Sequence, residues 1–446
     1  VILDRQRDAA VATPSRIGLS PFRRVLPNGA VLLAKHTRTI PAVTISIAMR
    51  SGTVCDPSDA PGACHLLSRV MDRGTAAHTA AQIAEDLDNR GITLSTGVTR
   101  HLVSLACTCL SEDFDFVFGL MGEVVTSPSF PEEETARQRT EVITLIRQDE
   151  DSPIVRATEA LMGLLYPDPH PYGRPAKGRV EVLEHLTRAD LTAFHAARFS
   201  PSGLIVTVVG DQPVEAVNAA ADRVFGAWQS SRAAEIPLPP VEEAHRRRRV
   251  ILPMMNKAQV DVAYGFTAVA RADPAYYACW LMNNVLGQYS MGGRLGDSIR
   301  ERQGMAYYVS SRLDANLATG PLTINAGVSS LNVDRAVASI DEEVGRLARE
   351  GVTAKELNES RQYLVGSMPR ALETNAGIAG FMQTAEVFGL GLDFDVRLPD
   401  LLQRVTLDDV HAVAQRVLDP ERATIVIAGP YPGPQSERDD AKSALA

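Results

Sequence analysis

Residues 62–75, GACHLLSRVMDRGT, place a histidine where metal chemistry often begins and then withhold the rest of a site. In an H-x-x-E-H helix, histidines at i and i+4 share one face and bind zinc, while the glutamate between them serves as general base. The positions here read His65, Leu66, Leu67, Ser68 and Arg69. Catalytic zinc takes about three protein ligands and an open position for water, and a fixed positive charge at Arg69 repels a dication. His65 therefore reads as a polar helix residue, and no metal is expected in this chain. His78, His101, His170, His185 and His195 fall at spacings that suggest no ligand pair, and read as surface or structural.

Other reactive groups offer little. Cys55, Cys64, Cys107, Cys109 and Cys279 are odd in number and lack paired metal spacing, so buried thiols are expected. Cys107 and Cys109 would point to the same side of a strand and form no C-x-x-C loop. The segment LGQYSMGGRLG (286–296) supplies flexible backbone but lacks G-x-x-x-x-G-K-[ST], which argues against a phosphate loop. HRRRR (245–249) is the only dense basic run and reads as a solvated face beside a linker. With a net charge of -9, the chain has no large basic field for nucleic acid or a membrane surface. No apolar run approaches the roughly 20 residues that span a bilayer, so a soluble protein is expected. The first residue is Val1, so either a leader has been removed or the numbering begins inside the gene; bacterial cytoplasm and periplasm both stay open.

The elements that must position these residues are written twice. At 446 residues, 45% hydrophobic and 22% charged, the chain is globular and needs more than one domain. TRADLTAFHAARFSPSGLIVTVVGD from Thr187 aligns without gaps to TLDDVHAVAQRVLDPERATIVIAGP from Thr406, carrying Asp190 to Asp409, Pro201 to Pro420 and Gly210 to Gly429. Each copy predicts a capped helix, a proline turn and a buried strand ending at glycine. Earlier, AVTISIAMRSGTVCDPSDAPGACHLLSRVM parallels QVDVAYGFTAVARADPAYYACWLMNNVLG, with Asp56-Pro57 answering Asp273-Pro274 and His65 answering Met282. The pattern predicts a strand over 43–50 followed by a first long helix with His65, and a helix over 275–287. The reading is α+β, with homologous domains at 1–228 and 248–430, a proline-rich linker at 229–247 and a polar, frayed tail at 431–446.

Over nearly its whole length the sequence resembles the M16, or pitrilysin-like, peptidases, which include mitochondrial processing peptidase subunits and bacterial paired-subunit peptidases. The likeness rests on LPNGAVLLAKH (26–36), SGTVCDPSDAPGACHLLSRVMDRGT (51–75), HPYGRP (170–175), FSPSGLIVTVVGD (199–211) and GGRLGDSIRERQGMAYYVSS (292–311). It implies two domains, each a mixed, mainly antiparallel sheet flanked by helices, arranged as half a clamshell. It also implies zinc held by H-x-x-E-H and a distal glutamate. Of these only His65 is present: Ser68 holds the base position, Arg69 the second histidine, and Leu145 the distal ligand, with Glu141 one turn away. The second half keeps the family's arginine and tyrosine seven residues apart, Arg300 and Tyr307, which reach the substrate at the zinc site. Arg302 and Tyr308 leave the side-chain direction open, because strand neighbours face opposite ways.

The resemblance thus implies a noncatalytic, zinc-less subunit, inactive alone, that lends Arg300 and Tyr307 to a zinc-bearing partner with an intact H-x-x-E-H motif for hydrolysis of short unfolded peptides. The 286–296 loop is short for a presequence-binding loop. Two other readings stay open: a scaffold subunit of a larger complex, and a homodimer that binds peptides without hydrolysis.

Overall fold

The computed structural model describes residues 18–231, 236–241, 244–288 and 292–433. In its first half, β1 (Phe22–Val25), β2 (Val31–His36), β3 (Ala42–Met49), β4 (Ser95–Val98), β5 (Val103–Leu110) and β6 (Leu204–Gly210) form one sheet, ordered β1-β2-β6-β3-β5-β4. In the second, β7 (Arg248–Pro253), β8 (Val260–Thr267), β9 (Ala306–Leu313), β10 (Pro321–Val328) and β11 (Thr424–Gly429) are ordered β7-β11-β8-β10-β9. The β2–β6 and β7–β11 pairs are parallel and the other pairs antiparallel, so both sheets are mixed and mainly antiparallel. The central strands β3 and β6 are rich in β-branched residues and buried on both faces. β5 instead alternates, turning Val103, Leu105, Cys107 and Cys109 inward together.

The sequence repeat is a structural one. The Thr187 hydroxyl caps the helix Arg188–Arg198, and the Thr406 hydroxyl caps Leu407–Val417. In each, the aspartate three residues on accepts the threonine N–H at 2.8 Å, closing a reciprocal capping box. A proline turn and then β6 or β11 follow, each strand set between one parallel and one antiparallel neighbour. Gly210 (φ 146°) and Gly429 (φ 139°) end these strands. A Cβ at either would press on a carbonyl oxygen at the start of the neighbouring antiparallel strand or just before it, 2.3 Å from that of Ala42 or 2.7 Å from that of Gln259, so glycine is required twice for one reason.

Each sheet borrows a helix from the other half. Helix Pro153–Leu165, from the first half, packs through Leu161 and Leu165 onto Ala263, Val426 and Ala428 of the second sheet. Helix Asn375–Val387, from the second half, packs through Ile378, Ala379 and Met382 onto Ala48, Ile205 and Val209 of the first. Two further apolar cores lie within the halves.

Several local expectations need correction. The first helix, Ala63–Val70, has eight residues and is not long. The helix expected over 275–287 is α-helical only over Tyr276–Asn283 and continues as a π-helical turn, Asn284–Gln288. The basic run is not simply solvated: Arg247 is paired with Asp341 at 2.7 Å and Arg249 with Asp334 at 2.7 Å, which pins β7 to the helix Val333–Glu350. At the start of the expected tail Tyr431 is buried and donates to Asp334, because that pair gives its hydroxyl a partner. The rest of that tail from 434, and residues 232–235, 242–243 and 289–291, lie outside the described residues.

Candidate functional site

The Asp-Pro turn before His65 builds the start of its helix. Asp56 accepts the free N–H groups of Gly62 at 2.8 Å and Cys64 at 2.7 Å. Burial pushes the Asp56 carboxyl up to about 6 against those hydrogen bonds. Leu66, Leu67 and Val70 enter the core, which leaves His65 and Arg69, one turn apart, on the less buried side. Ser68 is buried and donates back to the His65 carbonyl at 2.8 Å, so its hydroxyl is spent within its own helix.

Arg69 meets Glu141, on the helix Glu132–Glu150, with Nη2 3.3 Å from Oε2. Leu145, one turn further on, is 37% exposed. Burial, and then the charges of Lys177 and Arg69, lower the His65 pKa to about 4, so its imidazole is neutral near pH 7. A neutral imidazole, a buried hydroxyl, a guanidinium and an exposed leucine thus stand at the four positions.

On the second half, the register of β9 answers the question that the paired tyrosines left open. Gly327 of β10 pairs with Tyr308 and Val328 with Ala306, so Tyr307 is an extra residue in a β-bulge. Tyr307 is 83% exposed. Tyr308 lies across the sheet instead and donates to Asp261 at 2.5 Å. Arg300 sits on the π-helical segment Gly296–Arg302, which packs against β9. Its Nε is paired with Glu301 Oε1 at 3.7 Å, and Arg302 is paired with Asp297 at 2.9 Å. A guanidinium that can grip a peptide carbonyl and a phenol that can donate a hydrogen bond are therefore carried by neighbouring irregular elements. Sequence reasoning missed the bulge and the π-turns; its one available signal was the incompatibility of two adjacent tyrosines with one strand face.

Residues 31–167 match the family model described as insulinase (peptidase family M16), and residues 185–364 match that of the peptidase M16 inactive domain. The chain belongs to the M16 peptidase family. Relatives include an uncharacterized zinc protease of Mycobacterium tuberculosis, 24% identical over 93% of this chain and 94% of the relative. The uncharacterized zinc protease YmxG of Bacillus subtilis is 24% identical over 91% of this chain and 98% of its own length. Among solved structures, a peptidase M16 inactive domain from Pseudomonas fluorescens superposes with a TM-score of 0.85 at 25% identity, covering 92% of this chain and 98% of that one. A protease from Helicobacter pylori shares the fold, with a TM-score of 0.84 at 18% identity, over 91% and 98% of the two chains.

The zinc that M16 membership implies does not fit these residues. Arg69 brings positive charge to a ligand position, and the nearby carboxylate, Glu141, already neutralises it. Among the described residues, no three His, Cys, Asp or Glu side chains come together as a metal site. Also among them, no helix is long and apolar enough to cross a membrane.

Proposed function

We propose that this M16 chain is the noncatalytic subunit of a two-chain zinc peptidase acting on short unfolded peptides. The observation that carries the reading is the outward Tyr307 in the bulge, together with Arg69 at a ligand position of the first half, ion-paired to Glu141. A tyrosine serving only the core would be buried, as Tyr264 is.

In this reading a partner M16 subunit with an intact H-x-x-E-H motif supplies the metal and the general base. Arg300 holds a peptide carbonyl, and Tyr307 donates to the oxygen that gathers negative charge as the peptide bond is attacked. Both groups act without touching metal, which is why they can lie on a separate chain.

The test is cleavage of a quenched unstructured peptide by this chain alone, by its H-x-x-E-H partner alone, and by the mixture. Chelator-sensitive turnover confined to the mixture is expected. Full turnover by the partner alone would overturn the proposal, and a silent mixture with a folded, zinc-loaded partner would favour the scaffold reading.

A further inference from the structure

Between the two halves lies a cavity of about 510 Å³, within the range of small-molecule sites, that the peptidase reading does not use. One wall comes from the turn joining β4 to β5, from helix Pro153–Leu165 and from residues 172–176; the other comes from the end of β9 and helix Asn375–Val387.

Most of its charged groups are already engaged. Arg100 donates to Asp314 at 2.5 Å and lies over the Tyr172 ring. His101 Nε2 is 2.5 Å from the Tyr172 hydroxyl, and Arg174 donates to the backbone carbonyls of Asp56 and Pro169. Glu159 and Arg312 are different. Both line the cavity, one from each half, Glu159 half-buried and Arg312 exposed, and neither side chain makes a hydrogen bond or ion pair with another described residue.

Glu159 is half-buried, and burial followed by the charge of Asp149 raises its pKa against the opposing charges of Arg156 and Lys177; a cation seated in the cavity would favour its charged form further. Arg312 offers the fork geometry that suits a carboxylate. Met162, Val387 and Phe388 supply apolar surface in the same cavity.

We propose that this cavity binds a short zwitterionic peptide of about dipeptide size, its ammonium group on Glu159, its carboxylate on Arg312 and an apolar side chain against Met162, Val387 and Phe388. The site needs neither a partner subunit nor a metal. It is therefore tested on the chain alone, and its failure leaves the peptidase reading standing.

The experiment is calorimetric titration of the full chain with the dipeptide alanyl-phenylalanine, beside its N-acetylated and C-amidated forms. Saturable one-to-one binding is expected, weakened at least about tenfold by either cap, as the loss of one charged hydrogen bond predicts. Glu159→Gln should weaken the free dipeptide by a similar factor and leave the acetylated form unchanged; Arg312→Gln should do the same with respect to the amide. No saturable binding at millimolar dipeptide would overturn the proposal. So would an affinity indifferent to both caps, an outcome that needs no variant to fold.

Discussion

Arg69 reaches across from the first helix to Glu141, Nη2 to Oε2 at 3.3 Å, where the M16 resemblance would place metal ligands. Both side chains are more than a third exposed, so the pair contributes little to stability, about 0–1 kcal/mol. Its consequence is electrostatic: a cation stands where a dication would have to enter, and the Glu141 carboxylate is committed to it. The chain purified alone should retain no stoichiometric zinc after dialysis. The combination Ser68→Glu, Arg69→His and Leu145→Glu should retain about one ion per chain, the donor count of a catalytic site being restored around His65. Metal analysis of both proteins decides this, and zinc held equally by the unaltered chain would refute the assignment.

Tyr307 and Tyr308 should separate activity from stability. Tyr308→Phe removes the hydroxyl that Asp261 accepts and should cost about 1–3 kcal/mol, with the activity of the two-chain enzyme nearly intact. Tyr307→Phe, at an 83% exposed position, should leave the melting temperature unchanged and lower kcat by about 100-fold, the scale of one lost transition-state donor. Arg300→Ala should also reduce turnover without changing the partner's zinc content. Equal activities for the two phenylalanine variants would remove Tyr307 from the mechanism.

The physical reason for that separation also marks the limit of the sequence. Period-two strands and capped helices are local patterns, so the duplicated unit of capped helix, proline turn and strand ending at Gly210 and Gly429 was legible; the reciprocal threonine–aspartate boxes at the two caps were not. The side chains offered at His65, Ser68 and Arg69 are read directly from the chain, because ligand chemistry is a property of residue type. The direction of Tyr307 is not. It depends on one extra residue in the pairing of β9 with β10, and registry belongs to two strands together. The exchanged helices were hidden for a similar reason: an amphipathic face shows that it is buried, not against which sheet.

His101 should make stability depend on pH in one direction. It is 8% exposed and lies 2.5 Å from the Tyr172 hydroxyl. Burial, and then Arg100, lower its pKa from 6.5 to about 4 in the folded chain. The unfolded chain therefore binds the proton first, so the His101 contribution is complete above pH 6.5 and is lost as pH falls toward 4. Asp56, whose carboxyl is raised to about 6, acts oppositely in the overlapping window, since the folded state then binds its proton more tightly. Urea denaturation of the native chain and of His101→Gln isolates the difference. The variant should be less stable at neutral pH and lose less on acidification; parallel curves would show that His101 does not titrate as its burial requires.

The exchanged helices should make the two halves melt together. Leu161 is fully buried, on a helix of the first half that covers the second sheet, and Met382 is 3% exposed in the reciprocal position. Removing either side chain leaves a cavity that costs about 2–5 kcal/mol. Because each helix is connected to one half and packed into the other, loosening either contact weakens both sheets at once. Leu161→Ala and Met382→Ala should thus each lower a single calorimetric transition whose van't Hoff and calorimetric enthalpies agree. Two transitions in the native chain, with each variant shifting only one, would mean that the halves fold independently despite the exchange.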